Sequence, residues 1–101
     1  RSAVLGAHML ARLRVFDNPA LKHVRGRGLW AGAEIDPAVA SAREVCERLL
    51  AKGVLSKETH HTVVRLAPPL VIARRDLDWA LDRFEEVLDE IGGTHRRPQA
   101  A

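Results

Sequence analysis

Apolar residues in this chain recur at helical spacing, switch to strict alternation, and return to helical spacing, all within 101 residues. A 3.6-residue period buries a stripe and a two-residue period buries a face. A short chain satisfies both by laying helices on a sheet. From Ser2 to about Phe16 the stripe is Leu5, Met9, Leu13 and Phe16, widened by Leu10. Asp17-Asn18-Pro19 ends it, because proline disfavours helix at the residue before it. The period changes from Val24. Leu29, Ala31, Ala33 and Ile35 alternate with Trp30, Gly32 and Glu34, which predicts a strand, and Arg25-Gly26-Arg27-Gly28 reads as the turn leading into it.

Asp36-Pro37 then offers an N-cap followed by proline at the first helical position. The second predicted helix runs to Lys52, with Val39, Ala42, Val45, Cys46, Leu49 and Leu50 on its apolar face. Gly53 stands where a left-handed C-terminal residue belongs. Val54-Leu55 is expected to form a very short strand, Lys57 to Thr62 a polar turn, and Val63 to Ala67 a further strand stopped by Pro68-Pro69. The last helix is expected over about Asp76 to Ile91, carrying Leu77, Ala80, Leu81, Phe84, Leu88 and Ile91. Gly92-Gly93 closes it, and Thr94 to Ala101 reads as a loose basic tail. The expected order is α-β-α-β-β-α, an α+β layer with helices packed on one side of a small, mostly antiparallel sheet.

No apolar run approaches the roughly 20 residues of a membrane helix. The start lacks the charged, apolar and small-residue regions of a signal peptide. Cys46 is the only cysteine, so no disulfide forms within the chain and a cytoplasmic location is expected. Arg1 is not an initiator Met and the first helix starts beside it, as though cut from a longer chain. Sixteen Lys+Arg against thirteen Asp+Glu give a net charge of +3, with lysine only at positions 22, 52 and 57. Acidic residues are interleaved throughout, so a solvated mixed-charge surface is favoured over a nucleic-acid footprint.

Arg65 carries the clearest chemistry. It lies inside the apolar run Val63-Val64-Arg65-Leu66-Ala67, where a buried guanidinium needs an anion, and its planar fork suits a carboxylate held bidentately. The plainer alternative is an edge-strand arginine that faces water or pairs with Glu34. Gly26 and Gly28 precede a strand rather than a helix, so a turn explains them better than a phosphate loop. His60 and His61 are adjacent and would face opposite ways in an extended segment, while His8, His23 and His95 are scattered; no zinc spacing results. Cys46 falls on an apolar helix face without a base beside it in sequence and reads as packing. Trp30 and Trp79 read as core or interface fillers. No nucleophile, acid–base pair or metal cluster emerges, which suits an accessory part of an enzyme or a binding module.

Two stretches sharpen this reading. Val24-Arg25-Gly26-Arg27-Gly28-Leu29 resembles the turn and strand that open the C-terminal small domain of class III, fold-type I aminotransferases. Gly53-Val54-Leu55-Ser56-Lys57-Glu58-Thr59-His60, followed by Val64-Arg65-Leu66-Ala67-Pro68-Pro69-Leu70-Val71-Ile72, resembles the segment typical of the ornithine aminotransferases within that family. The resemblance implies that residues 1–91 are such a small domain, truncated at its N-terminal helix, with 92–101 a flexible basic tail. It implies pyridoxal phosphate chemistry, moving the δ-amino group of ornithine to 2-oxoglutarate to give glutamate semialdehyde and glutamate. By the same resemblance Arg65 matches the arginine that holds the α-carboxylate of glutamate or 2-oxoglutarate. In the family a large domain supplies the Schiff-base lysine, the acid on the pyridine nitrogen and the phosphate cradle, and assembly is homodimeric or higher. Lys22, Lys52 and Lys57 do not lie in a cofactor-lysine motif. The expectation is therefore a chain that neither binds the cofactor nor catalyses transamination alone, and that partners with a large-domain chain. The alternative is a stand-alone α+β interaction module for nucleic acid or an acidic protein, with no role at a membrane.

Overall fold

The alternation around Ala31 is the second half of a β-hairpin. The computed structural model describes residues 2–27, 30–60, 62–68 and 72–93. In chain order the elements are α1 (Ser2–Val15), β1 (Leu21–Arg27), β2 (Trp30–Ile35), α2 (Ala42–Ala51), β3 (Lys57–Thr59), β4 (Val63–Leu66) and α3 (Arg74–Gly92). The strands form one antiparallel sheet in the order β1-β2-β4-β3. Helices α1 and α2 pack on this sheet and α3 packs against both of them. The α+β class and the helix-on-sheet layering are as expected from the sequence.

Three local differences have physical causes. Leu21–Arg27, read in part as a turn, is a strand because its backbone completes the ladder of β2, with Arg25 opposite Gly32 and Gly26 opposite Ala31. The short strand lies at Lys57–Thr59 rather than Val54-Leu55. Val54 instead closes α2: its N–H reaches the Leu49 carbonyl at 2.8 Å and that of Gly53 reaches Leu50 at 3.0 Å. That pair of bonds, with Gly53 at φ +95°, is a Schellman C-terminus. Helix α2 begins at Ala42 rather than after Asp36, because the Ser41 hydroxyl accepts from the Glu44 N–H at 3.0 Å and caps it. Asp36 closes its own turn, its carboxylate accepting from the Ala38 N–H at 2.9 Å. Gly28, Leu29, His61, Pro69 and the tail from Thr94 to Ala101, with His95, lie outside the described residues.

One core holds the layers together. Leu5, Met9 and Leu13 of α1, Val45 and Leu49 of α2, and Leu77, Phe84 and Leu88 of α3 meet Ala31, Ala33, Ile35 and Val64 of the sheet, each at 5 % exposure or less. Asn18 is the one buried polar residue recorded there, and it is fully used. Its amide donates to the Asp89 carboxylate at 2.9 Å and to the Gly93 carbonyl at 3.1 Å, and its carbonyl accepts from the Ala20 N–H at 2.9 Å. The segment that ends α1 thereby ties the start of β1 to the end of α3.

The interleaved charges pair helix with helix. Arg12 of α1 lies 2.9 Å from Asp82 and 3.0 Å from Glu85 of α3. His8 meets Asp78 at 2.5 Å through Nε2 and receives Arg74 at 3.1 Å on Nδ1. Arginine has only protons to give, so Nδ1 accepts and Nε2 carries the proton toward Asp78. On the other flank Lys52 and Arg48 of α2 reach Glu90 at 2.9 and 3.2 Å, and Arg83 reaches Glu86 at 2.6 Å. These partners hold three carboxyls below their ordinary range: Asp78 through His8, Glu86 through Arg83, and Glu90 through Lys52. The unfolded chain consequently binds more protons than the folded one as pH falls through about 4, so stability is full above that range and lost below it. The urea midpoint should stay level between about pH 7 and 5 and fall below about 4.5, with a smaller acid-side loss in high salt because these partly exposed pairs are screened. A midpoint that rises on acidification would contradict this.

Candidate functional site

Strand alternation that sends Ala31, Ala33 and Ile35 into the core turns Trp30, Gly32 and Glu34 to the opposite face, where Arg65 and Val63 of β4 join them. No helix residue lines the two shallow depressions on that face, about 480 and 320 Å³ in volume. The register sets one row across all four strands. Arg25 of β1 lies opposite Gly32 of β2, Gly32 opposite Arg65 of β4, and Arg65 opposite Lys57 of β3. Directly opposed residues share a face, so three cations and one glycine stand side by side.

Gly32 leaves room for what happens in the middle of that row. The Trp30 indole lies over it, its Cη2 3.4 Å and Cζ2 3.9 Å from where a Cβ would stand. The Arg65 guanidinium sits over the same indole, 5.4 Å from the ring centroid. Strand β4 is interior, flanked by β2 and β3, so Arg65 is not on an edge strand; its side chain is exposed and faces water, as the plainer alternative has it, rather than buried. Glu34 does not pair with it either: its nearest recorded cation is Arg25, at 4.0 Å. Among the described residues no carboxylate lies within salt-bridge distance of Arg65. What remains is a cation on a rigid strand, seated on an aromatic ring and open to an anion from solution.

The other residues singled out from the sequence divide around this site. His60, at the turn between β3 and β4, adopts the left-handed region at φ 53° and borders the smaller depression with Thr59. His8 belongs to the ion network of α1 and α3, and His23 is exposed on β1. Cys46 is half-buried, and burial pushes its thiol up, as suits packing rather than nucleophilic attack. Trp79 is 44 % exposed with Arg83 over its ring, and with Leu55 and Ile72 it borders an apolar groove of about 520 Å³ whose lining holds one charged residue, Asp76. That groove is roomier than the depressions around Arg65, yet Asp76 is the one charged side chain in its lining. Among the described residues no three His, Cys, Asp or Glu gather to hold a metal, and no helix is long and apolar enough to cross a membrane. Sequence reasoning offers Arg25, with Arg27, only as a basic contact for a nucleic-acid or acidic-protein partner; its place in one row with Arg65 and Lys57, and the Trp30 ring under Arg65, depend on strand register.

The pattern of class-III aminotransferases matches residues 1–88. The chain belongs to the class-III aminotransferase family. The ornithine aminotransferases of Brevibacillus brevis and Bacillus subtilis are each 50% identical to it over 88 residues, which is 87% of this chain and 21% of either relative. The chain thus spans about a fifth of the length of the curated relatives it matches. Among solved structures, the Plasmodium falciparum ornithine delta-aminotransferase superposes with a TM-score of 0.85 at 26% identity, covering 90% of this chain and 24% of that one. The acetylornithine aminotransferase of Elizabethkingia anophelis gives 0.80 at 29% identity, covering 88% and 23%.

The class-III aminotransferase family implies pyridoxal phosphate. The described residues around Arg65 do not fit that group. The lining of both depressions includes no lysine to engage its aldehyde. The helices pack on the far side of the sheet, so no described helix N-terminus opens toward a phosphate there. What the face offers is positive charge, from Arg25, Arg65 and Lys57.

Proposed function

We propose that residues 1–91 form the C-terminal small domain of an ornithine δ-aminotransferase, with 92–101 as its tail, and that Arg65 anchors the α-carboxylate of 2-oxoglutarate or glutamate. The observation that supports this is the Arg65 guanidinium, held on an interior strand over Trp30 without an acidic partner among the described residues, in a chain of this family. Its fork of donors accepts a carboxylate bidentately and so fixes the orientation of the acid. The cofactor, when bound, supplies the electron sink through which an amino group is moved. Its lysine, its nitrogen partner and its phosphate cradle come from a large-domain chain, and the assembly is a cytoplasmic homodimer or larger. This chain's part is to present the keto acid in one pose.

The test is an assay with ornithine, 2-oxoglutarate and added pyridoxal phosphate, on this chain alone and then with a chain carrying the remaining segments of the fold. Activity is expected only in the mixture. Transamination by this chain alone, or an inactive mixture in which the two chains co-elute, overturns the proposal.

The cation row of Arg25, Arg65 and Lys57 favours a second reading, an interaction module for nucleic acid or an acidic protein. Such binding would weaken steeply with salt, and no binding at low salt removes it.

A further inference from the structure

We infer that Trp30 is a positioning residue for Arg65: its indole is the platform that holds the guanidinium edge-on to an incoming carboxylate. This rests on the carboxylate-anchor reading of Arg65. Arginine has a long, freely rotating stem, and a free side chain would lose that freedom whenever an anion seats. Here the guanidinium is already placed, 5.4 Å from the indole centroid. A guanidinium held against a ring face keeps its N–H donors at its rim, available for a planar partner.

The ring itself is placed by packing. Below it lies Gly32, where a Cβ would already touch Cη2 at 3.4 Å, so a longer side chain there would lift the indole. Its Nε1 is shielded from solvent and has no hydrogen-bond partner among the described residues. A tryptophan packed for its own stability would satisfy that N–H. Leaving it unpaired is a local cost, borne where the ring face serves the cation. Lys57 stands across the strand from Arg65 on the same face, a like charge that would otherwise push the guanidinium about. The indole opposes that push from the β2 side.

Two measurements test this. In a Trp79→Phe background Trp30 is the sole tryptophan, and Arg65→Ala should then change its emission intensity; unchanged emission overturns the stack. In the enzyme complemented with the remaining segments of the fold, Trp30→Leu keeps bulk but removes the ring face. It should raise the KM for 2-oxoglutarate about 3- to 30-fold with kcat within about twofold and the ornithine KM unchanged. Trp30→Phe, which restores a ring face, should recover most of that loss, and a purely structural role would not give this split. If Arg65→Ala raises the KM and Trp30→Leu does not, the positioning role is wrong and the anchor stands. If Arg65→Ala leaves the KM unchanged, the anchor is wrong and the positioning role falls with it.

Discussion

Arg65→Ala should raise the KM for 2-oxoglutarate by about two orders of magnitude or more in the complemented enzyme, while the half-reaction with ornithine changes by less than about threefold. Two charge-assisted hydrogen bonds to a carboxylate contribute roughly 1.5–3 kcal/mol each, and losing both corresponds to about a hundredfold or more in affinity. Arg65→Lys keeps the charge but loses the fork, so an intermediate rise is expected, nearer to alanine than to wild type. The same substitution separates function from folding. Arg65 is exposed, stands beside Lys57 across the strand, and has no acidic partner among the described residues. Removing Arg65 loses its stack on Trp30 but also relieves the like charge of Lys57, two small and opposed effects, so the urea midpoint of Arg65→Ala should be nearly unchanged. A residue whose removal spares the fold and harms turnover serves the ligand rather than the core. A lower midpoint, or an ornithine half-reaction that falls as far as the keto-acid one, would contradict the assignment.

The helices and the unusual place of Arg65 could be read from the residues in order; the ring beneath Arg65 could not. The stripe Leu77, Leu81, Phe84 and Leu88 announces α3 because a 3.6-residue period survives without any partner, and all four side chains are buried. Arg65 stands out because a cation interrupts an apolar strand, which is again a local signal. By contrast Leu21-Lys22-His23-Val24-Arg25-Gly26-Arg27 carries two apolar residues among four basic ones and a glycine, too little alternation to declare a strand. It extends because β2 needs a ladder partner and because Val24 and Gly26 turn toward the helices while Arg25 faces out. The row of Arg25, Gly32, Arg65 and Lys57 then follows from register between strands far apart in sequence, which no single segment encodes. Asn18 is similar: as a helix breaker it is visible, but its bonds to Asp89 and Gly93 join residues some seventy positions apart.

Gly26→Ala should cost the fold about 2–4 kcal/mol. Gly26 was read as a turn glycine, whose value would be conformational freedom. It lies instead within β1, and its backbone is not left-handed, so alanine could adopt it without dihedral strain. The cost arises from space. A Cβ at Gly26 would overlap the Trp30 carbonyl oxygen across the hairpin, and would stand 3.0 Å from Leu10 Cδ2 of α1 and 3.1 Å from the Ala31 Cα. Two of those three atoms are backbone of the paired strand, which cannot rotate away, so either the hairpin opens or α1 lifts off the sheet. Opening the hairpin moves Trp30, and with it the seat of Arg65, so the substitution should reach the site as well as the core. Gly32→Ala is the matched control: its Cβ meets only side-chain atoms at 3.4 Å and beyond, ordinary contact distance. It should leave stability within about 0.5 kcal/mol. For a domain of this size each kcal/mol shifts the melting temperature by about 4–8 °C, so the two variants should melt at least about 6 °C apart. Equal melting temperatures would mean that the close approach of α1, β1 and β2 at Gly26 is not what holds the hairpin against the helix layer.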